Sequence, residues 1–335
     1  MRTIQRELDV GGDPFPGAMT VAQFAPVFLE RKAAKVRPRT LRRYGGILEH
    51  DVIPLIGDVE LRRVKPAHLQ QVLDAVATTK SRRCVEEAKA VMSGLLKAAA
   101  SGGLVDVNVA WGGTLEISRG ASPSRELVRL EADQVRFILD AVRGTTWEVP
   151  FNTVARLGLR RSEALGLRWD DVDFDHGTIS IDRSLHRVVD DEGSRLEFLA
   201  PKTAASARTI VAGRPLLALL DKHRRNQAER REMVGDAWLD TGVVCDNGIG
   251  GPLDPDSMST AFKRKLAGLG LPSRTRLHDL RHAAARLSLE AGAPLESVSR
   301  LLEHSTLAFT HKQYVAPTAQ QTAGAVTALD SILGE

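Results

Sequence analysis

Leu277–Tyr314 reads LHDLRHAAARLSLEAGAPLESVSRLLEHSTLAFTHKQY, and the chemistry of the chain is concentrated there. His278 and Arg281 stand three apart in a run of helical periodicity, so a helix projects both from one face. His304 follows 23 residues after Arg281, and Tyr314 follows ten residues after His304. Arginine offers a rigid fork of donors that fits phosphate oxygens. Histidine moves or donates protons near neutral pH. A tyrosine attacks as a phenolate and keeps a phosphate as a covalent ester. With no acidic cluster to hold a metal, the set points to phosphoryl transfer onto a side chain.

The same stretch allows a second reading. His278 and His282 are four apart, which is zinc-ligand spacing on a helix, and a His-Asp pair followed by further histidines also opens some metal phosphohydrolases. However, the chain has no H-E-x-x-H and no Asp-rich segment of hard ligands. The upstream sequence decides between the two. Residues 155–174 read ARLGLRRSEALGLRWDDVDF. Leu159, Ala164, Leu165 and Leu167 supply an apolar face, Gly158 a turn, and Glu163 lies three residues after Arg160, where a helix sets acid beside base.

Taken together, H-x-x-R, L-x-x-H-S-T, a tyrosine ten residues on and the upstream G-L-R-x-x-E-A-L-x-L-x-W-x-D-V-D resemble the signature of the tyrosine recombinase (phage integrase) family. The resemblance runs over roughly residues 20–330. It implies that Arg160 and Arg281, with His304, hold the non-bridging phosphate oxygens, and that Glu163 orients Arg160. It also implies that His278 acts as acid or base and that Tyr314 is the nucleophile. Asp279 and His282, beside these, are supporting residues. Lys202 lies in P-K-T-x-x-S-x-R-T-I and matches the family lysine that enters the minor groove and protonates the leaving 5′-oxygen. The implied reaction stores the bond energy in a 3′-phosphotyrosine, so no cofactor, nucleotide or metal is expected. One position departs from the pattern. The family usually has Gly before the second histidine, and Glu303 stands here, either raising the pKa of His304 or facing water.

Composition sets the outer bounds. At 335 residues, 43% hydrophobic and 26% charged, the chain is an ordinary globular protein long enough for two cores. No apolar run approaches a membrane span and the N-terminus has no signal-peptide core, so a cytoplasmic protein with no membrane partner is expected. Cys84 and Cys245 lie far apart without C-x-x-C, which excludes a disulfide framework, and both are expected as buried small hydrophobes. The net charge of +4 is unevenly placed: residues 1–112 hold 17 Lys and Arg against 12 Asp and Glu, and the remainder 29 against 30. Basic excess in the first third points to a polyanion met there.

In chain order, residues 1–19 read as a flexible arm. Thr20 caps a helix with Val21, Phe24, Val27 and Phe28 on one face. The stretch 31–48, RKAAKVRPRTLRRYGGIL, packs in Lys35, Arg37, Arg39, Arg42 and Arg43, expected as phosphate-contacting residues at the start of a second helix opened by Pro38. Ile53-Pro54-Leu55-Ile56-Gly57 reads as a tight connection. Pro66 opens a third helix, and Ser81 caps a fourth that ends at Gly102-Gly103. Residues 20–107 thus form an all-α module that resembles the family's SAM-like core-binding domain. Residues 108–126 read as a linker, and 127–335 as the catalytic domain, mainly helical with a small antiparallel sheet. GTISIDRSL and ARTIV read as strands, with a turn at Asp191-Glu192-Gly193. Helices are expected around 131–142, 149–157, 214–231 and 255–268, and the segment 318–335 carries Ala323, Val326, Leu329 and Leu333 on one helical face, suited to a neighbouring subunit.

The expected fold is therefore mainly α with a small antiparallel sheet (α+β), two domains clamping double-stranded DNA at specific attachment or crossover sites. A homotetramer on two duplexes follows from strand exchange, with accessory DNA-bending or directionality proteins as further partners. The resemblance implies an integrase of a phage or other mobile element. A chromosome-dimer-resolving recombinase and a relaxing topoisomerase share the chemistry, whereas a non-catalytic DNA-binding protein of the same fold would carry a broken catalytic set.

Overall fold

Thr20 caps the first helix through reciprocal bonds: its Oγ1 accepts from the Gln23 amide at 3.3 Å, and Gln23 Oε1 accepts from the Thr20 amide at 3.0 Å. The computed structural model describes residues 19–110, 115–117, 128–190, 193–200 and 207–303. The arm up to residue 18, Lys202, His304, Tyr314 and the segment 318–335 lie outside the described residues. By packing, the chain divides into two units, Met1–Glu126 and Leu127–Glu335.

In the first unit, α1 (Val21–Ala33) buries Val21, Phe24, Ala25, Val27 and Phe28. Next, α2 (Pro38–Ile47) starts on Pro38, whose missing N–H is one the first turn would not use, and it buries no residue fully. The stretch expected as a tight connection is helical instead. A π-helical turn, Leu48–Val52, runs directly into the short α3 (Ile53–Ile56). Pro54 gives no N–H to the turn before it, and buried Leu48, Val52 and Ile56 hold the chain down in spite of that lost bond. Helices α4 (Pro66–Thr79) and α5 (Arg82–Ser101) share one core with α1. Ser81 occupies the position before α5 without capping it, since its Oγ lies 3.4 Å from Cys84 Sγ. The stretch read as a linker is docked on this unit where it is described: Ala110 and Leu115 are buried in its core, and Lys89 Nζ donates to the Leu115 carbonyl at 3.0 Å.

The second unit begins with α6 (Ala132–Asp140), α7 (Glu148–Leu157) and α8 (Arg161–Gly166). Strands β1 (Val172–Asp173) and β2 (Thr178–Ile181) follow, then the hairpin of β3 (Ser184–Asp190) and β4 (Gly193–Leu199), then β5 (Arg208–Val211). The first sheet is antiparallel in the order β1-β2-β5, with Ile179 opposite both Val172 and Ile210. All three are buried. GTISIDRSL, which reads as one strand, is split at Asp182-Arg183, where Arg183 Nη1 reaches both oxygens of Asp171 at 3.0 and 2.8 Å. The helices α9 (Arg214–Val234), α10 (Pro255–Ala267), α11 (Leu277–Glu290) and α12 (Leu295–Leu302) complete the unit.

Its core gathers Ile138, Phe151, Leu159, Leu165, Ile179, Phe262 and Leu280. Phe151 and Phe262 meet edge to face at 5.5 Å, and burying each contributes about 1.5–3 kcal/mol. A small separate cluster of Ala285, Val298 and Leu302 holds α12 on α11. No described helix is long and apolar enough to cross a membrane.

Candidate active site

The site is built on the turn after α7. Gly158 takes φ +62° there, a left-handed conformation that side chains with a Cβ adopt at a cost, and an added Cβ would lie 2.6 Å from Leu302 Cδ2. The turn delivers Arg160 to the residue before α8. The Arg160 amide donates to Glu163 Oε2 at 2.9 Å, and its guanidinium Nη1 donates to Glu163 Oε1 at 2.6 Å. Glu163 therefore both closes the start of α8 and orients Arg160, the pairing that the three-residue spacing predicts.

A third residue completes this pair. Arg208, at the start of β5, donates Nη2 to Glu163 Oε2 at 2.9 Å and Nε to the Leu301 carbonyl at 3.2 Å. Sequence reasoning passed over it in favour of Lys202, although the same P-K-T-x-x-S-x-R-T-I segment contains it. Burial by itself pushes the Glu163 carboxyl up, but the hydrogen bond and charge of Arg208 and the donors of Arg160 outweigh it and bring the pKa down to about 2. Burial acts to lower the Arg160 pKa, and Glu163 and Glu303 more than offset it, so that pKa rises. Both groups are firmly charged at neutral pH.

Arg281 enters from α11 and is 3% exposed. Its Nη1 donates to the Gly158 carbonyl, its Nη2 donates to the Leu302 carbonyl, and Nη1 lies 3.9 Å from Glu163 Oε2. The arginine thus ties the end of α7 to the end of α12 while bringing its charge to the Arg160–Glu163–Arg208 cluster. Glu303 closes α12 with φ +53°, and among the described residues it is the one non-glycine with positive φ. Its carboxylate is not turned to water. It accepts from Arg160 Nη1 and lies 3.5 Å from Arg208 Nη1.

His278, one turn before Arg281, is exposed. Its ring meets His282 edge to face at 4.6 Å, so the spacing that would suit zinc serves ring packing. Among the described residues no group of three His, Cys, Asp or Glu is placed to hold a metal ion. Burial pushes the His282 pKa down. Asp279, expected as a supporting residue, accepts from the Arg276 amide at 2.7 Å and so anchors the first turn of α11. Burial pushes its pKa up. Arg160, Glu163, Arg281, Glu303 and the unanticipated Arg208 are brought together, whereas Lys202, His304 and Tyr314 lie outside the described residues. In the first unit, Lys35, Arg37, Arg39, Arg42 and Arg43 are all exposed, and Arg43 pairs with Glu87 of α5.

Comparison with known proteins agrees with this architecture. Residues 128–321 match the phage integrase family, and residues 20–76 match the phage integrase N-terminal SAM-like domain. A tyrosine recombinase XerC-like protein of Caldanaerobacter subterraneus subsp. tengcongensis is 30% identical over 62% of this chain, and the match spans about half of that relative, 55%. An integrase of Streptomyces ambofaciens is 27% identical over 94% of this chain and 80% of its own length. Among solved structures, the Tn1549 transposon integrase in complex with a circular intermediate DNA superimposes with a TM-score of 0.76 at 18% identity, over 93% of this chain and 100% of that one. A lambda integrase tetramer bound to a Holliday junction gives 0.62 at 16% identity, over 91% and 81%. With both its helical unit and its arginine-bearing unit matched, the chain belongs to the phage integrase family of tyrosine recombinases.

Proposed function

We propose that the chain cuts and rejoins DNA at specific sites through a 3′-phosphotyrosine, integrating or excising a phage or other mobile element. The observation that carries this reading is the arginine cluster: Arg160, held by Glu163 at 2.6 Å, beside Arg208 and Arg281, with His278 one turn from Arg281. Fixed guanidinium donors stabilise the charge that builds on the non-bridging oxygens in the transition state. In this reading the phenolic oxygen of Tyr314 attacks the phosphorus as the bond to the 5′-oxygen breaks. His278 serves as acid or base toward the phenol, His304 assists the arginines, and Lys202 supplies the proton that makes the leaving group a 5′-hydroxyl. Attack by another strand's 5′-hydroxyl reverses the step, so one phosphodiester is exchanged for another without net bond energy.

The integrase of Streptomyces ambofaciens aligns along 94% of the chain and a tyrosine recombinase XerD of Mycobacterium leprae along 84%, both at 27% identity, so chromosome-dimer resolution stands as the alternative to the integrating role. Strand exchange between two duplexes requires four copies, the assembly in which lambda integrase has been seen on a Holliday junction. The segment 318–335 is the proposed link between copies, with accessory DNA-bending or directionality proteins as further partners. The protein would act in the cytoplasm, where its DNA is.

One experiment separates an enzyme from a binding module. A nicked duplex that loses a short fragment on cleavage cannot be resealed, so covalent protein–DNA should accumulate, in the presence of a chelator. The chain has only 2 tyrosines, Tyr44 and Tyr314, and the Tyr44 ring is stacked on Phe28 at 6.5 Å. Peptide mapping should find the 3′-phosphate on Tyr314, and Tyr314→Phe should bind DNA and form no adduct. An adduct on Tyr44, or cleavage that stops when a chelator is added, would overturn the mechanism.

A further inference from the structure

We propose that Glu303 is a further active-site residue: an internal anion seated on Arg160, which a DNA phosphate must displace before it can be cleaved. The inference rests on the reading of Arg160 as a phosphate-binding residue. Three guanidinium groups, Arg160, Arg208 and Arg281, meet two carboxylates in this cluster, Glu163 and Glu303. The two carboxylates occupy different places. The Glu163 side chain is 8% exposed and bridges Arg160 and Arg208 from within. The Glu303 side chain is 20% exposed and meets the same two arginines from the outer side, on the Arg160 guanidinium that is itself 39% exposed.

An incoming phosphate has to use that accessible side of Arg160, since the inner side is taken by Glu163. A carboxylate and a phosphodiester each carry one negative charge and seek the same planar donors, so they cannot share one guanidinium edge without repulsion. A further donor is available to whichever anion is bound. Arg208 Nη1 is buried, makes no hydrogen bond among the described residues, and has Glu303 Oε2 at 3.5 Å.

The backbone supports the assignment independently. Glu303 sits in the left-handed conformation that ends α12. Glycine takes this position without steric cost, and a residue with a Cβ takes it only at some expense. The carboxylate is the part of this residue that reaches the cluster, so what the backbone concedes is matched by its seat on Arg160. Removing the carboxylate leaves Arg160 open to phosphate more of the time. If the open form is about one molecule in ten, its removal improves productive phosphate engagement about tenfold.

The test uses the full chain and a nicked duplex built on the sequence that the wild-type protein selects from a randomised pool. Single-turnover adduct formation is followed over a range of duplex concentrations for wild type, Glu303→Gln and Glu303→Gly. Glutamine removes the charge and keeps size and backbone, while glycine also removes the left-handed strain, so it carries the test if the glutamine variant folds poorly. The ratio of maximal cleavage rate to half-saturating duplex concentration should rise about tenfold in the folded variants. A residue that merely positions Arg160 would move this ratio the other way. An unchanged or lowered ratio in either folded variant overturns the inference while leaving the recombinase reading standing. Absence of any adduct from the wild-type protein overturns that reading, and the inference with it.

Discussion

Glu163 shows most directly how a single residue makes the site. One carboxylate accepts from the Arg160 amide, from the Arg160 guanidinium and from Arg208, and lies within 3.9 Å of Arg281. Its folded pKa of about 2 is below the ordinary 4.5, so its stabilisation is fully present above about pH 4.5 and is lost as the pH falls through 2. The shift corresponds to about 3 kcal/mol across that window, of which about 2 kcal/mol is lost by pH 3. Glu163→Gln cannot titrate. It should be less stable at pH 7 by about 3–5 kcal/mol, because buried guanidinium charge loses its partner. Urea denaturation at pH 6 and pH 3 should then show wild type losing about 2 kcal/mol more than the glutamine variant over that interval. Parallel losses would mean that the carboxylate is not held as described. The Arg160–Glu163 half of this arrangement is legible in the sequence because two residues three apart at a helix start meet by geometry alone. The Arg208 half is not legible, since its partner lies 45 residues away and only the return of β5 beside α8 brings them together.

At the level of elements, the site depends on two chain ends being held at a fixed distance. The end of α7 and the end of α12 present the Gly158 and Leu302 carbonyls to the two nitrogens of Arg281, while Leu302 fills the space beside Gly158. Gly158→Ala places a Cβ 2.6 Å from Leu302 Cδ2 and forces φ +62° on alanine. A loss of about 1–3 kcal/mol is expected, with reduced cleavage because Arg160 follows two residues later. Adding Leu302→Ala should relieve the clash but not the backbone cost, so a double-mutant cycle should show favourable coupling of about 0.5–1 kcal/mol. Strict additivity would show that the clash is not what the alanine costs. Most helices are legible from their spacing of apolar residues and their capping signals, as at Thr20, Pro38 and Pro66. The π-helical turn at Leu48–Val52 is not, because Pro54 and Gly57 carry the local signature of a turn while burial of Val52 and Ile56 decides for a helix. The seat of Glu303 is not legible for a related reason: sequence shows a carboxylate beside His304, but not that a left-handed helix end swings it back onto Arg160.

On the scale of the whole molecule, Arg160, Arg208 and Arg281 of the second unit are engaged by carboxylates and carbonyls, and the first unit presents Lys35, Arg37, Arg39, Arg42 and Arg43 at its surface. If that surface supplies phosphate contacts, binding should be governed by counterion release, with log K falling by about 0.9 per contact for each decade of salt. Arg43 already has a partner in Glu87, which also accepts from Arg83 at 3.2 Å. A DNA phosphate would have to compete for it. Replacing Arg37, Arg39 and Arg42, all exposed, with alanine should weaken duplex binding strongly and reduce the salt slope by about 2–3. Adding Arg43→Ala should change the slope little further. The triple variant should stay within about 0.5 kcal/mol of wild-type stability, as exposed substitutions usually do. The quadruple variant should lose up to about 1 kcal/mol more through the broken pair. Titrations of a labelled duplex from about 50 to 200 mM salt, read beside urea denaturation, check both halves. An unchanged slope in the triple variant would remove the first unit's basic surface from the DNA contact. A large further drop from Arg43→Ala would show that its pairing with Glu87 gives way when DNA arrives.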